Sequence, residues 1–305
     1  MIPLPRLRLA SLAPLAALLL AGCAAEFTPA SVVEGLRVLA MVADPPELRL
    51  SPAAGTNTVT VLHSLAVAPP SAPGGAPRNP APADVAWSFC PYSIGASTGY
   101  ACAIPECESA LMAAPDGSVT LDPLLEVMKP ACQAALAARG GGGPGGFGAG
   151  GSIETLVRYV ATLDGLRREA VQRIPVWFGA PPAWEANLNP VIAAVTTGAD
   201  CGGAAPGCAV NSVQLDVAIG PGSFQFFPGG LDRTLQETVD ISFFTTAGRF
   251  QYEKGLATAA APSTYTVLDA TELNGARQAL VWAVARDQRG GEAVAGPLTV
   301  VFSVP

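Results

Sequence analysis

The chain has 305 residues, of which 33 are Gly and 29 Pro, and only 13% are charged while 50% are hydrophobic. So much backbone punctuation with so little charge excludes a coiled coil or a long helical bundle, and recurring apolar runs argue against a charge-rich disordered chain. Lys and Arg number 17 against 24 Asp and Glu, a net charge of −7 with no basic cluster, which excludes nucleic acid as a partner.

In chain order, Arg6 and Arg8 precede an apolar run, Leu9–Leu20. That run is shorter than the roughly 20 residues a bilayer-spanning helix needs, and it fits the apolar part of an export signal. It ends at Leu20-Ala21-Gly22-Cys23, which matches the lipobox of bacterial lipoproteins. That resemblance implies that residues 1–22 are a signal peptide, that Cys23 is the lipidated first residue and that 23–34 form a tether. Acyl chains contribute about 0.8 kcal/mol per buried CH₂, so several of them anchor the chain durably. Ala24, rather than an aspartate, points to the outer membrane. Residues 24–35, fully extended, reach about 40 Å.

Beyond the tether, β patterns dominate. Leu36–Val42 reads as a strand ended by Asp44-Pro45-Pro46, and Val59–Val67 alternates with the period of a strand. Pro69–Pro82, with six prolines, reads as an extended connector. Val85–Cys90 is the next strand. Leu121–Ala138 reads as a helix with Asp122-Pro123 at its start, kinked or split at Pro130. Gly140–Gly151 holds nine glycines, and Thr155–Leu163 and Glu169–Phe178 read as a hairpin around Asp164-Gly165.

The second half repeats the first. Asn189–Val195 answers Gly35–Met41, Val213–Val217 answers Val59–His63, and Val239–Phe244 answers Val85–Cys90, all at an offset of 154. Leu280–Asp287 answers Leu156–Leu163 at 124, and Pro297–Val304 answers Ile174–Phe178 less closely. The first unit therefore carries extra residues between its third strand and its closing hairpin. Short strands bounded by Gly and Pro predict a mainly β fold of two tandem immunoglobulin-like β-sandwiches, the first with a cysteine-rich helical and Gly-rich insertion. The expected boundaries are 35–180 for the first domain, with the insertion at about 91–151, a linker at 181–188, and 189–305 for the second.

Six cysteines remain besides Cys23, an even number that suggests three disulfides in an exported chain. Cys201 and Cys208 bracket a flexible turn and pair with each other. Cys90, Cys102, Cys107 and Cys132 allow three connectivities, of which proximity favours Cys90–Cys102 with Cys107–Cys132. Their spacings lack paired Cys-x-x-Cys units, so zinc is not expected.

Val281–Val304, with Arg286-Asp287-Gln288-Arg289-Gly290-Gly291 at its turn, resembles the closing hairpin of bacterial immunoglobulin-like, PKD-type and cadherin-like modules. Leu36–Pro46 and Val85–Pro91 resemble segments of lipoproteins with tandem immunoglobulin-like domains, found in GC-rich Gram-negative bacteria such as myxobacteria. The resemblance implies fold and location and names no ligand.

Catalytic chemistry has little to work with. His63 is the sole imidazole, expected as a core or edge residue because it stands where Val217 does. Gly143–Gly148 matches G-x-G-x-x-G but follows a helix and precedes a strand, the reverse of a dinucleotide site. Glu34, Asp44, Glu47, Glu106 and Glu108 show no paired arrangement. Asp240, Asp287 and Glu292 lack an Asp-rich loop for calcium. Trp87, Trp177 and Trp282 are expected in sandwich cores, and Trp184 in the interdomain joint, with a sugar-stacking surface as its alternative. The reading is a non-catalytic envelope lipoprotein with no cofactor, no metal and no catalytic residues. It is anchored to the outer membrane by its N-terminal lipid, with an envelope protein or a glycan as partner. A glycan or small ligand held by the disulfide-pinned insertion is the first alternative, and an enzyme of unrecognised type the second.

Overall fold

The protein, in a computed structural model, is described at residues 29–50, 59–95, 99–138, 152–178, 185–197, 212–228, 233–270 and 277–302. Residues 31–305 form one compact unit. The signal segment, Cys23, the glycine tract, Trp184, Cys201 and Cys208 lie outside the described residues.

The first module contains β1 (Arg37–Asp44), β2 (Leu48–Leu50), β3 (Thr60–Val67), β4 (Val85–Cys90), β5 (Ser109–Leu111), β6 (Val119–Leu121), β7 (Ser152–Leu163) and β8 (Leu166–Phe178). One sheet runs β1-β3-β6, and the facing sheet runs β2-β8-β7-β4-β5. These are the A-B-E and G-F-C sheets of an immunoglobulin-like sandwich, with β2 added parallel to β8 at the edge.

The second module contains β9 (Ile192–Thr197), β10 (Ser212–Ile219), β11 (Phe226–Pro228), β12 (Thr234–Gln236), β13 (Val239–Thr245), β14 (Arg249–Phe250), β15 (Lys254–Ala257), β16 (Ser263–Asp269), β17 (Gln278–Arg286) and β18 (Glu292–Val301). Its main sheets run β14-β16-β10-β9 and β15-β13-β17-β18, and β11 pairs with β12 in a small ribbon. The topology is again A-B-E facing C-F-G. Thus the strands matched by the 154 and 124 offsets occupy equivalent sheet positions.

The segment 91–151, expected as an insertion, supplies two strands of the first sandwich, β5 and β6, the latter being its E strand. The helix expected over Leu121–Ala138 begins only after Leu121, which closes β6. The Asp122 carboxylate caps it by accepting from the Leu124 and Leu125 amides. Pro130 divides it into Pro123–Val127 and Pro130–Ala138, because proline has no amide to continue the ladder. Disulfides Cys90–Cys102 and Cys107–Cys132 pin this segment to the end of β4 and to the second helix.

Each sandwich has its own core. Met41, Leu62, Trp87, Phe89, Val157, Tyr159, Ile174 and Val176 fill the first. Leu215, Val217, Ile241, Phe243, Leu268 and Val281 help fill the second. A third apolar layer lies between the modules, where Val33, Leu39, Ala40 and Val67 meet Leu280, Trp282 and Val284. The outer face of β1-β3 therefore packs on the outer face of β13-β17-β18, giving four stacked sheets with three apolar layers. Trp87 fills its sandwich core as expected. Trp282 does not: it points away from its own core into the junction, because even-numbered positions of β17 face outward.

His63 is exposed rather than in the core, at a point where β3 is paired with β1 alone because β6 reaches only as far as Leu62. Leu62 takes the core side, facing Ala43 across β1. In the second module Val217 takes the core side, facing Val195. A slip of one residue between the B strands turns every side chain to the other face, and the 154 offset misplaces His63 by that one residue.

Part of the expected tether is also structured. Val32 bridges Thr245, the Val33 amide donates to the Thr245 carbonyl at 2.8 Å, and Val33 is buried in the junction layer.

Candidate functional site at the module junction

Beside the apolar layer, the β17–β18 turn (Asp287–Gly291) reaches across to the first module. Asp287 shapes that turn: its Oδ1 accepts from the amides of Arg289 at 2.7 Å and Gly291 at 2.8 Å. A Cβ at position 291 would run into the Asp287 carboxylate, so glycine is required there. The turn is thereby closed on itself and carries Arg289 outward from it.

Arg289 is held among acids from both modules. Its Nη2 donates to Glu47 Oε2 at 2.9 Å and to the Glu185 carbonyl at 3.1 Å, and its Nη1 donates to Glu237 Oε1 at 3.3 Å. Glu47 also pairs with Arg49 at 2.8 Å. The side chains of Glu47 and Glu237 are 3% and 0% exposed, so both carboxylates depend on protein partners rather than water. Glu237 Oε2 accepts from the Gln225 amide at 3.3 Å.

A second set of polar contacts continues the clamp. Arg286 bonds Glu292 at 2.7 Å and the Leu39 carbonyl at 2.7 Å. Glu292 in turn accepts from the Met41 amide at 2.9 Å. Asn189 donates to the Ala43 carbonyl, and Gln172 donates to the Gly290 carbonyl. Glu292 and Asp287, weighed above as calcium ligands, are engaged in these contacts. Asp240 is paired in register with Arg286. Among the described residues no three His, Cys, Asp or Glu side chains converge to hold a metal ion.

Burial pushes the Glu237 carboxyl up to about 7, helped by the Asp287 charge and opposed by Arg289. Burial likewise raises Asp287, against the pull of the Gly291 and Arg289 amides. The groups facing Glu237 are therefore Asp287 and Arg289, with Glu47 and Arg49 one step further on.

The sign of the resulting pH dependence is set by a folded-state value above the ordinary 4.5. From about pH 4.5 to about 7 the unfolded chain releases this proton while the folded chain keeps it, so stability falls as pH rises. At about 1.4 kcal/mol per unit the loss from Glu237 is about 3 kcal/mol. Urea unfolding at pH 5 and pH 8 checks this. Glu237→Gln is expected to flatten the difference by about that amount, and parallel profiles for the two proteins would refute the assignment.

Next to the clamp lies a cleft of about 380 Å³ lined by Glu47, Glu154, Arg173, Trp177, Gln288 and Arg289, among others. Arg173, Pro175 and Trp177 alternate along β8 on one face, while Ile174 and Val176 between them enter the core. Trp177 is therefore half-buried at a cleft wall rather than in the sandwich core where it was expected. Glu154 on β7 stands opposite Pro175 and pairs with Arg173 at 3.4 Å.

Of the residues singled out in the sequence, Glu47, Asp287 and Glu292 come together at the junction, whereas Glu34, Glu106 and Glu108 do not line the cleft. Arg289 and Glu237 were not singled out. Cys90, Cys102, Cys107 and Cys132 lie at the disulfide-pinned segment. Among the described residues no helix is long and apolar enough to cross a membrane.

No protein-family model and no curated protein matches the chain. Among solved structures it is similar to the D0-D1 domain of Intimin, at 11% identity and a TM-score of 0.23, covering 88% of this chain and 99% of that one. It is also similar to Parabacteroides merdae β-glucuronidase with glycerol in its active site, at 10% identity and a TM-score of 0.20. That match covers 80% of this chain and 22% of the glucuronidase. The immunoglobulin-like assignment rests on sheet order and not on these likenesses.

Proposed function

We propose that this chain is a non-catalytic envelope lipoprotein that presents two immunoglobulin-like sandwiches, locked as one body, to another envelope protein. The export-signal pattern and Leu20-Ala21-Gly22-Cys23 support the anchor. The observation that carries the interaction role is the disulfide-pinned segment, which exposes Met112, Leu124, Leu125 and Met128 on a backbone fixed by two crosslinks. Large apolar side chains held out of a core in this way fit a protein partner better than a polar solute.

Two readouts test the proposal separately. Cys23→Ser is expected to move the protein from the detergent phase to the aqueous phase on fractionation, and unchanged partitioning would remove the lipid anchor. Crosslinking in intact cells is then compared between the wild type and Leu125→Asp/Met128→Asp, both exposed sites that leave the disulfides and strands in place. The paired substitution is expected to abolish at least one specific crosslink. An identical crosslink pattern would show that this segment is not the interaction surface.

A further inference from the structure

The cleft beside the clamp has a lining whose chemistry is specific. Its four charged residues, Glu47, Glu154, Arg173 and Arg289, are two acids and two bases, so their formal charges cancel. Each acid is already paired with one of the bases, at 2.9 Å for Glu47 with Arg289 and 3.4 Å for Glu154 with Arg173. A strongly charged ligand would have to break such a pair and would gain no net attraction. A neutral ligand rich in hydroxyls would find donors on Arg173, Arg289 and Gln288, and acceptors on Glu154, Gln288 and the Glu47 carboxylate.

The walls supply the complementary half. The Trp177 Nε1 is buried, so what the indole offers the cleft is ring carbon. Pro175 and the half-buried Phe227 extend this apolar surface. An aromatic and proline wall beside planar, forked polar side chains matches a sugar ring, which has one face of C–H groups and a rim of hydroxyls. At about 380 Å³ the space falls within the range of small-molecule sites and is too small for a folded partner.

We infer that the junction cleft between β8 and the Asp287–Gly291 turn is a binding site for a neutral saccharide. Trp177 and Pro175 form the stacking wall, and Arg173, Glu154 and Gln288 bond the hydroxyls. No residue of the disulfide-pinned segment lines the cleft, so the protein-binding role proposed above does not depend on it.

The test uses the full chain in detergent, titrated by calorimetry with maltose, cellobiose and diacetylchitobiose, and with digalacturonate as the charged counterpart. At least one neutral disaccharide is expected to bind saturably in the millimolar range or tighter and to shift tryptophan emission, and digalacturonate is not. Gln288→Ala and Arg173→Ala are each expected to weaken binding at least tenfold without lowering the unfolding midpoint of the free protein. Glu154→Gln, which keeps an acceptor, is expected to weaken it less. The inference is overturned if none of the three neutral sugars binds, if only digalacturonate binds, or if Gln288→Ala and Arg173→Ala bind as the wild type does.

Discussion

Replacing Arg289 with methionine is expected to cost about 3–5 kcal/mol of stability, because it leaves carboxylates buried without their cation. Methionine keeps most of the stem volume, so the loss reports charge rather than a hole. Glu47 retains Arg49 as a partner, whereas Glu237 keeps only the Gln225 amide and faces Asp287. Glu237 therefore bears most of the penalty. Two controls follow from that. Adding Glu237→Gln to Arg289→Met should recover a large part of the lost stability, since an uncharged side chain no longer needs the guanidinium. Lowering the pH from 8 to 5 should do the same, since Glu237 with its raised value takes up a proton across that interval. Urea unfolding of the three proteins at both pH values checks this. A loss below about 1 kcal/mol for Arg289→Met, or a double variant no better than the single one, would show that the clamp is not a coupled unit.

The clamp was hidden from sequence reading for a physical reason. Its members come from separate parts of the chain, and Arg289 stands 242 positions from Glu47 and 52 from Glu237. Local spacing carries no information on such a meeting. The strands were more legible, because β1, β3, β4, β7, β8, β10 and β13 each carry their own apolar pattern. The E strands were not. Val119–Leu121 is three residues long and runs directly into the helix cap. Ser263–Asp269 turns only Thr266 and Leu268 fully inward, a polar run that hydropathy barely marks.

The junction did leave a trace. Val239–Thr245 alternates buried and less buried residues, and from its outer face only Phe244 packs against the junction layer. By contrast Ala279–Ala285 is apolar and buried at every position, and Val38–Ala43 is apolar throughout. An antiparallel strand without alternation has both faces covered, and these two runs are the ones that meet between the modules. The uninterrupted run around Trp282 thus signalled a second packing partner rather than a deeper sandwich core.

Trp282→Ala is accordingly expected to act on both modules at once. The indole is fully buried in the layer formed with Leu39, Ala40, Val67, Leu280 and Val284. Truncating a buried tryptophan costs about 3–5 kcal/mol through lost transfer energy and the cavity left behind. The sandwich core of the second module would be little touched, because Val281 and Ala283 face it from the opposite side of β17. The loss would fall on the coupling between modules. Calorimetry is therefore expected to show one transition for the wild type and two, or one markedly broadened, for Trp282→Ala. Trp282→Phe should cost much less, since it keeps an aromatic ring and removes a buried Nε1–H that has no partner among the described residues. A Trp282→Ala protein that unfolds in a single sharp transition at the wild-type midpoint would mean the two sandwiches are merely adjacent.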